Sequence, residues 1–101
     1  MWLFVFFDLP VTSKAERRRA TRFRQSLIRE GYTMLQYSVY ALHCRSEEQA
    51  VTRRNQVRAA LPVHGHVRML SVTDRQFSRM HVFVGRKPKC VESPPEQMML
   101  F

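Results

Sequence analysis

A single carboxylate stands at the end of the most apolar segment of the chain. Trp2-Leu3-Phe4-Val5-Phe6-Phe7 runs without a polar residue into Asp8, and Leu9-Pro10 stop the run. An acid in that position must be paired, hydrogen-bonded or bound to a cation, because burying a lone carboxylate is strongly unfavourable. Carboxylate oxygens suit Mg²⁺, which takes one or two of them and keeps several waters. The same acid is equally suited to bond the backbone of the turn Leu9-Pro10-Val11. The residue types alone leave both roles open. One Asp per chain is thin for a metal site, whereas two copies meeting across a symmetry axis would bring two.

A second chemistry is carried by arginine. The chain has 101 residues with 17 Lys+Arg against 8 Asp+Glu, a net charge of +9. Fourteen of the 17 bases are Arg, whose planar fork grips phosphate with two parallel donors where Lys offers a point charge. Lys14, Arg17, Arg18 and Arg22 crowd the first predicted helix, and Arg75 and Arg79 precede the last predicted strand. Such a balance points to a polyanion, and phosphate contacts give affinity that does not depend on sequence. Single-strand readers interleave exposed aromatics with basic residues. Here most aromatics fall inside predicted strands, which favours the backbone of a duplex.

Other chemistries find less support. His43, His64, His66 and His81 are dispersed and supply no general base beside Asp8. Cys44 and Cys90 form no CxxC pair, so neither a zinc site nor a disulfide framework is expected, and the usage fits a reduced, cytoplasmic chain. No run approaches the ~20 apolar residues of a membrane span. The apolar start is too short for a signal peptide and lacks its basic lead. The length fits one domain and excludes a two-lobed enzyme with a cleft between domains.

The elements that must position these residues follow from periodicity. Residues 2–8 read as a strand buried on both faces. Ser13 with Glu16 is a capping box, opening a helix that runs to about Glu30 with Gly31 just beyond it. Ala20, Phe23 and Leu27 form its inward stripe, and Arg18, Arg22 and Arg29 its wet side. Residues 32–44 predict one long strand. Ser46 and Gln49 cap a second helix reaching about Ala60, with Ala50, Val57 and Leu61 inward and Pro62 ending it. His64-Gly65-His66 is a turn, residues 67–74 a third strand and residues 80–84 a fourth. The expected class is α+β: a ferredoxin-like βαββαβ split with a four-stranded antiparallel sheet and two helices on one face. That domain occupies residues 1–85, and a Pro-rich linker with an apolar tail occupies residues 86–101.

Strand residues alternate faces, so Trp2, Phe4, Phe6 and Asp8 share one side and Leu3, Val5 and Phe7 the other. Both sides are apolar, yet two helices cover only one. A homodimer through the other face is the economical solution.

VFFDLP, the basic segment KAERRRATRFRQSLIREG and QYSVY together resemble the small CRISPR-associated adaptation protein family, the ferredoxin-like partner of the CRISPR integrase. VFFDLP is most similar to the type II branch. The likeness covers about residues 1–85. It implies a homodimer placed between two integrase dimers, where the assembly captures a short double-stranded DNA and inserts it into the CRISPR array as a new spacer. It also implies metal-dependent endonuclease activity on RNA or DNA, with the aspartate ending the first strand, here Asp8, as the catalytic Mg²⁺ ligand shared across the dimer axis. The family's basic residues near the start of the helix correspond to Lys14, Arg17 and Arg18. One metal-bound carboxylate per chain is sparse equipment for hydrolysis, so a DNA-holding role ranks above the nuclease role. The competing readings are a stand-alone Mg²⁺-dependent endoribonuclease, or an mRNA-cleaving toxin of the same fold. An RNA-recognition module would carry aromatics in its third strand, and VRMLSVTD has none.

Gln97, Met98, Met99, Leu100 and Phe101 are similar to the short peptide with which bacterial proteins dock on the replicative sliding clamp. A strand donated to the integrase or to the second copy is the other role such a tail has.

Overall fold

The computed structural model describes residues 1–85. The linker, Cys90 and the tail residues Gln97 to Phe101 lie outside the described residues.

The run Trp2–Asp8 forms β1, followed by α1 (Lys14–Arg29), β2 (Thr33–Gln36), β3 (Val39–His43), α2 (Glu47–Ala59), β4 (His66–Val72) and a short α3 (Asp74–Ser78). The sheet order is β2-β3-β1-β4 with every neighbouring pair antiparallel. This is the expected ferredoxin-like α+β split, with β1 at the centre. Strands that follow one another through a helix are separated by a third strand, so each connection crosses the same face and both long helices lie on it.

The helix ends follow the local signals. Ser13 accepts from the Glu16 amide at 3.1 Å while the Glu16 carboxylate takes the Ser13 amide at 3.0 Å. Glu30 caps α1 at its other end, and Gly31 follows with φ 97°, a backbone state that glycine enters without a Cβ penalty. Ser46 accepts from the Gln49 amide to open α2. The helix-side core is built from Leu3, Val5 and Phe7 of β1 against Phe23 and Leu27 of α1 and Ala50 and Val57 of α2, with Tyr32, Tyr40 and Cys44 completing it. Phe7 and Phe23 meet edge to face, ring centroids 5.1 Å apart. The odd residues of β1 therefore face the helices and the even ones the open side.

Four details of the strand and helix assignment are corrected. Residues 32–44 are not one strand. The chain turns at Tyr37-Ser38 and pairs back, with Gln36 opposite Val39 and a register irregularity beside it. Residues 67–74 are not all strand: β4 begins one residue earlier, and Thr73 instead caps α3, its hydroxyl taking the Gln76 amide at 3.1 Å. Residues 80–84 are not a strand in this chain, because a strand exists only as a paired edge and neither β2 nor β4 pairs with them. Leu61 is 46 % exposed and does not join the α2 stripe, since the helix closes at Ala59, before the turn that would bring Leu61 inward.

Candidate metal and nucleic-acid site

Asp8 is the last residue of β1 and lies directly across from His66, the first of β4. It belongs to the open face with Trp2, Phe4 and Phe6, and its side chain is exposed. The burial penalty inferred from the apolar run therefore does not arise. The turn after Asp8 is tied by other groups. Thr12 donates to the Glu16 carboxylate through its amide at 3.0 Å and its hydroxyl at 2.6 Å, and Arg17 donates to the Val11 carbonyl at 3.1 Å. The Thr12 hydroxyl first, then the amides of Ser13 and Thr12, hold the Glu16 carboxyl below its ordinary value. The Asp8 carboxylate is left without a protein partner among the described residues.

Gly65 fixes where Asp8 sits. It holds φ 104°, and a Cβ there would lie 2.7 Å from Leu9 Cδ2 and 2.9 Å from the Asp8 carbonyl oxygen. Only glycine allows the 60–66 connection to close on the end of β1. Among the described residues, no group of three or more His, Cys, Asp or Glu is gathered as a metal cage. One chain thus offers an exposed carboxylate and no enclosing ligand set. A Mg²⁺ that keeps most of its waters and takes one carboxylate from each of two chains fits such a donor; a cation needing a protein cage does not.

Lys14, Arg17, Arg18 and Arg22 all lie on exposed turns of α1. Lys14, Arg18 and Arg22 recur every four residues, a rise of about 6 Å per step along one side. Arg17 is partly committed to the Val11 carbonyl. Arg22 also lines a groove of about 390 Å³ with Arg19 and Arg29, floored by Phe23, Leu61 and Val63. Arg75 and Arg79 are placed elsewhere. Antiparallel β4 returns the chain to the Trp2 end of β1, so α3 starts there, about 20 Å of strand away from Asp8. The six basic residues form two groups within one chain.

At that far end α3 is clasped to the sheet. Phe77 stacks on Trp2 with ring centroids 4.0 Å apart and an interplanar angle of 9°, and His43 meets Trp2 edge-on at 5.0 Å. Asp74 accepts from the Met1 ammonium and lies 3.2 Å from His43 Nε2. The ammonium first, and His43 after it, hold the Asp74 carboxyl below its ordinary value. Beyond α3, Met80 and Phe83 border an open trough of about 670 Å³ whose floor is Phe4, Phe6, Leu35 and Val39.

One pair at the Asp8 end escaped sequence reasoning. The Phe7 amide donates to the Ser38 carbonyl at 3.1 Å, so the β2–β3 turn is held one residue from Asp8. Tyr37 at that turn is 67 % exposed. The Arg24 guanidinium carbon sits 4.4 Å from its ring centroid and 5.8 Å from that of Phe7. The signal available was the QYSVY run, but reading it as unbroken strand hid Tyr37 among paired residues.

No helix among the described residues is long and apolar enough to cross a membrane. Residues 1–80 match the family model described as CRISPR associated protein Cas2. Over its full length the chain is 43 % identical to the CRISPR-associated endoribonuclease Cas2 of Parvibaculum lavamentivorans, covering all of that protein. It is 45 % identical to the protein of the same name from Paracidovorax avenae, covering 94 % of it, and 40 % identical to that of Flavobacterium psychrophilum, covering 88 %. With this family model spanning four strands and both long helices, and relatives of this identity along the whole sequence, the chain belongs to the CRISPR-associated Cas2 family.

Proposed function

We propose that this chain is a CRISPR adaptation subunit: a homodimer that binds duplex DNA and bridges integrase dimers while a new spacer is inserted. The observation that carries the reading is the row Lys14, Arg18 and Arg22, exposed at every fourth position of α1 and free of ion pairs among the described residues. Guanidinium and ammonium groups spaced along one helix side can follow a phosphate backbone without reading bases, as capture of variable DNA requires. The homodimer is supported by the uncovered half of the sheet, where Leu70, opposite Phe4 in the ladder, is 54 % exposed. Arg75 and Arg79 act in this reading as a second, distant contact. Residues 97–101 form a docking tail in this reading, either a peptide for a sliding clamp or a strand donated to the integrase or to the second copy. A pull-down that retains no clamp, or retains it equally after their deletion, removes the clamp role.

The test is the salt dependence of duplex binding. Each phosphate neutralised contributes about −0.9 to the slope of log K against log salt. Replacing Lys14, Arg18 and Arg22 by Ala removes three contacts from each of two copies, so the slope becomes shallower by about 5. An unchanged slope contradicts the assignment.

A second reading, metal-dependent cleavage of RNA or DNA at Asp8, is favoured by the exposed and unpartnered state of that carboxylate and by the endoribonuclease names of the relatives. Asp8 and its counterpart on a second copy would hold the Mg²⁺. When bound, the ion supplies an activated water and neutralises charge on the scissile phosphate. The chain's own part is to present Asp8 at a fixed strand end, with Gly65 packed against it, and to hold the substrate backbone on α1.

A further inference from the structure

We propose that Tyr37 and Arg24 form a nucleotide-binding site for single-stranded RNA or DNA, in which an unpaired base stacks on Tyr37 and its phosphate is held by Arg24. The proposal rests on the nuclease reading of Asp8 and names the form of its substrate: a strand with unstacked bases.

The geometry has three parts. Tyr37 is two-thirds exposed at the tip of the β2–β3 turn, and one of its faces is occupied by the Arg24 guanidinium. An exposed aromatic ring backed by a cation offers its other face to a base, and stacking of this kind is indifferent to base identity. Arg24 packs on two rings, its guanidinium carbon 4.4 Å from the Tyr37 centroid and 5.8 Å from that of Phe7. Its Nε is buried with no hydrogen-bond partner, and its terminal nitrogens make no hydrogen bond to protein among the described residues. A guanidinium packed against aromatic rings, with its terminal donors uncommitted, loses little freedom when it grips a phosphate. The third part is position. The bond from the Phe7 amide to the Ser38 carbonyl ties the turn to β1 one residue before Asp8. The Tyr37 ring lies with Arg24 and Phe7 on the helix side of the sheet and Asp8 on the open side, so a strand stacked on Tyr37 reaches the carboxylate by passing round the end of β1. The bases of an intact duplex are already stacked on one another and cannot use this platform. Duplex DNA therefore stays on the α1 row.

The experiment compares wild type with Tyr37→Ala, Tyr37→Phe and Arg24→Gln in the full chain, using two probes. One is a ten-nucleotide single-stranded RNA carrying a single 2-aminopurine, and the other a 30-base-pair DNA duplex. Tyr37→Ala is expected to weaken single-strand binding by about 5- to 150-fold, the range for loss of one stacked base, and to abolish the quenching of 2-aminopurine fluorescence. Tyr37→Phe retains both binding and quenching. Arg24→Gln weakens single-strand binding and its salt dependence together, and duplex binding stays within twofold for all three. Single-strand binding by Tyr37→Ala equal to wild type overturns the proposal, as does an equal loss on both probes. If wild type binds the duplex but not the single strand, the nucleotide site fails and the adaptation reading stands. If wild type binds neither, both fall. Because Tyr37 is exposed, a thermal melt matching wild type is expected for Tyr37→Ala, which separates lost contacts from lost fold.

Discussion

At the scale of single residues, the candidate site depends on a glycine as much as on its carboxylate. Gly65 was legible as a turn residue, but its closeness to the Asp8 carbonyl was not, because the two lie in different elements and meet only through the β1–β4 ladder. Gly65→Ala combines a strained φ with a contact under 3 Å against backbone. It is expected to destabilise the fold by about 1–3 kcal/mol and to displace the end of β1. Urea denaturation reads the first effect, and the chemical shift of the Asp8 amide the second. A variant as stable as wild type with an unmoved Asp8 would show that the 60–66 connection has another way to close. Asp8 was legible as the residue to weigh, for the wrong reason: the apolar run suggested a buried acid, and the structure places it exposed. Sequence hydropathy reports the segment, whereas exposure is set by where the strand ends.

Among the elements, α3 carries a pH-sensitive clasp. Asp74 is held below its ordinary carboxylate value by the Met1 ammonium and by His43. A depressed carboxylate stabilises the fold above its unfolded value of about 3.9, and that stabilisation is lost as pH falls through the lowered folded value. The near-ultraviolet circular dichroism of Trp2, the one tryptophan of the chain, reports its stack on Phe77. In wild type the signal dependent on Asp74 should survive at pH 5 and be lost only as pH falls below the ordinary carboxylate value of about 3.9 and through the lowered folded one. In Asp74→Asn it should be reduced at every pH. Wild type and variant titrating alike would show that Asp74 does not clasp α3 to the sheet. The helices were largely legible, since capping residues, Gly31 and the stripe Ala20, Phe23 and Leu27 are local signals that the packing did not override. The strands were less so. Tyr37-Ser38 turns without Gly, Pro, Asn or Asp, so only Ser38, a weaker turn former, marks it. Residues 80–84 carry the β-branched and aromatic types of a strand, but strand pairing is a property of two segments, and no strand among the described residues pairs with them.

For the whole molecule, the proposed homodimer rests on the open face. Leu70 is exposed and lies across from Phe4, so Leu70→Glu barely touches the helix-side core yet brings one charge from each copy into the proposed interface. Sedimentation should show the dimer dissociation constant raised by at least about 100-fold, since like charges brought together at an interface cost several kcal/mol. The melting temperature of the dilute monomer should change little. An unaltered dimer would place the interface elsewhere. The central claim is that the chain serves adaptation by holding duplex DNA on α1, and acquisition of new spacers in cells tests it most directly. Wild type is compared with the triple variant Lys14→Ala, Arg18→Ala, Arg22→Ala and with Asp8→Asn, at matched protein levels. Acquisition is expected to collapse in the triple variant and to persist in Asp8→Asn. Acquisition that survives the triple variant and collapses in Asp8→Asn would contradict it and make the carboxylate chemistry, not the basic helix, the working part of the protein.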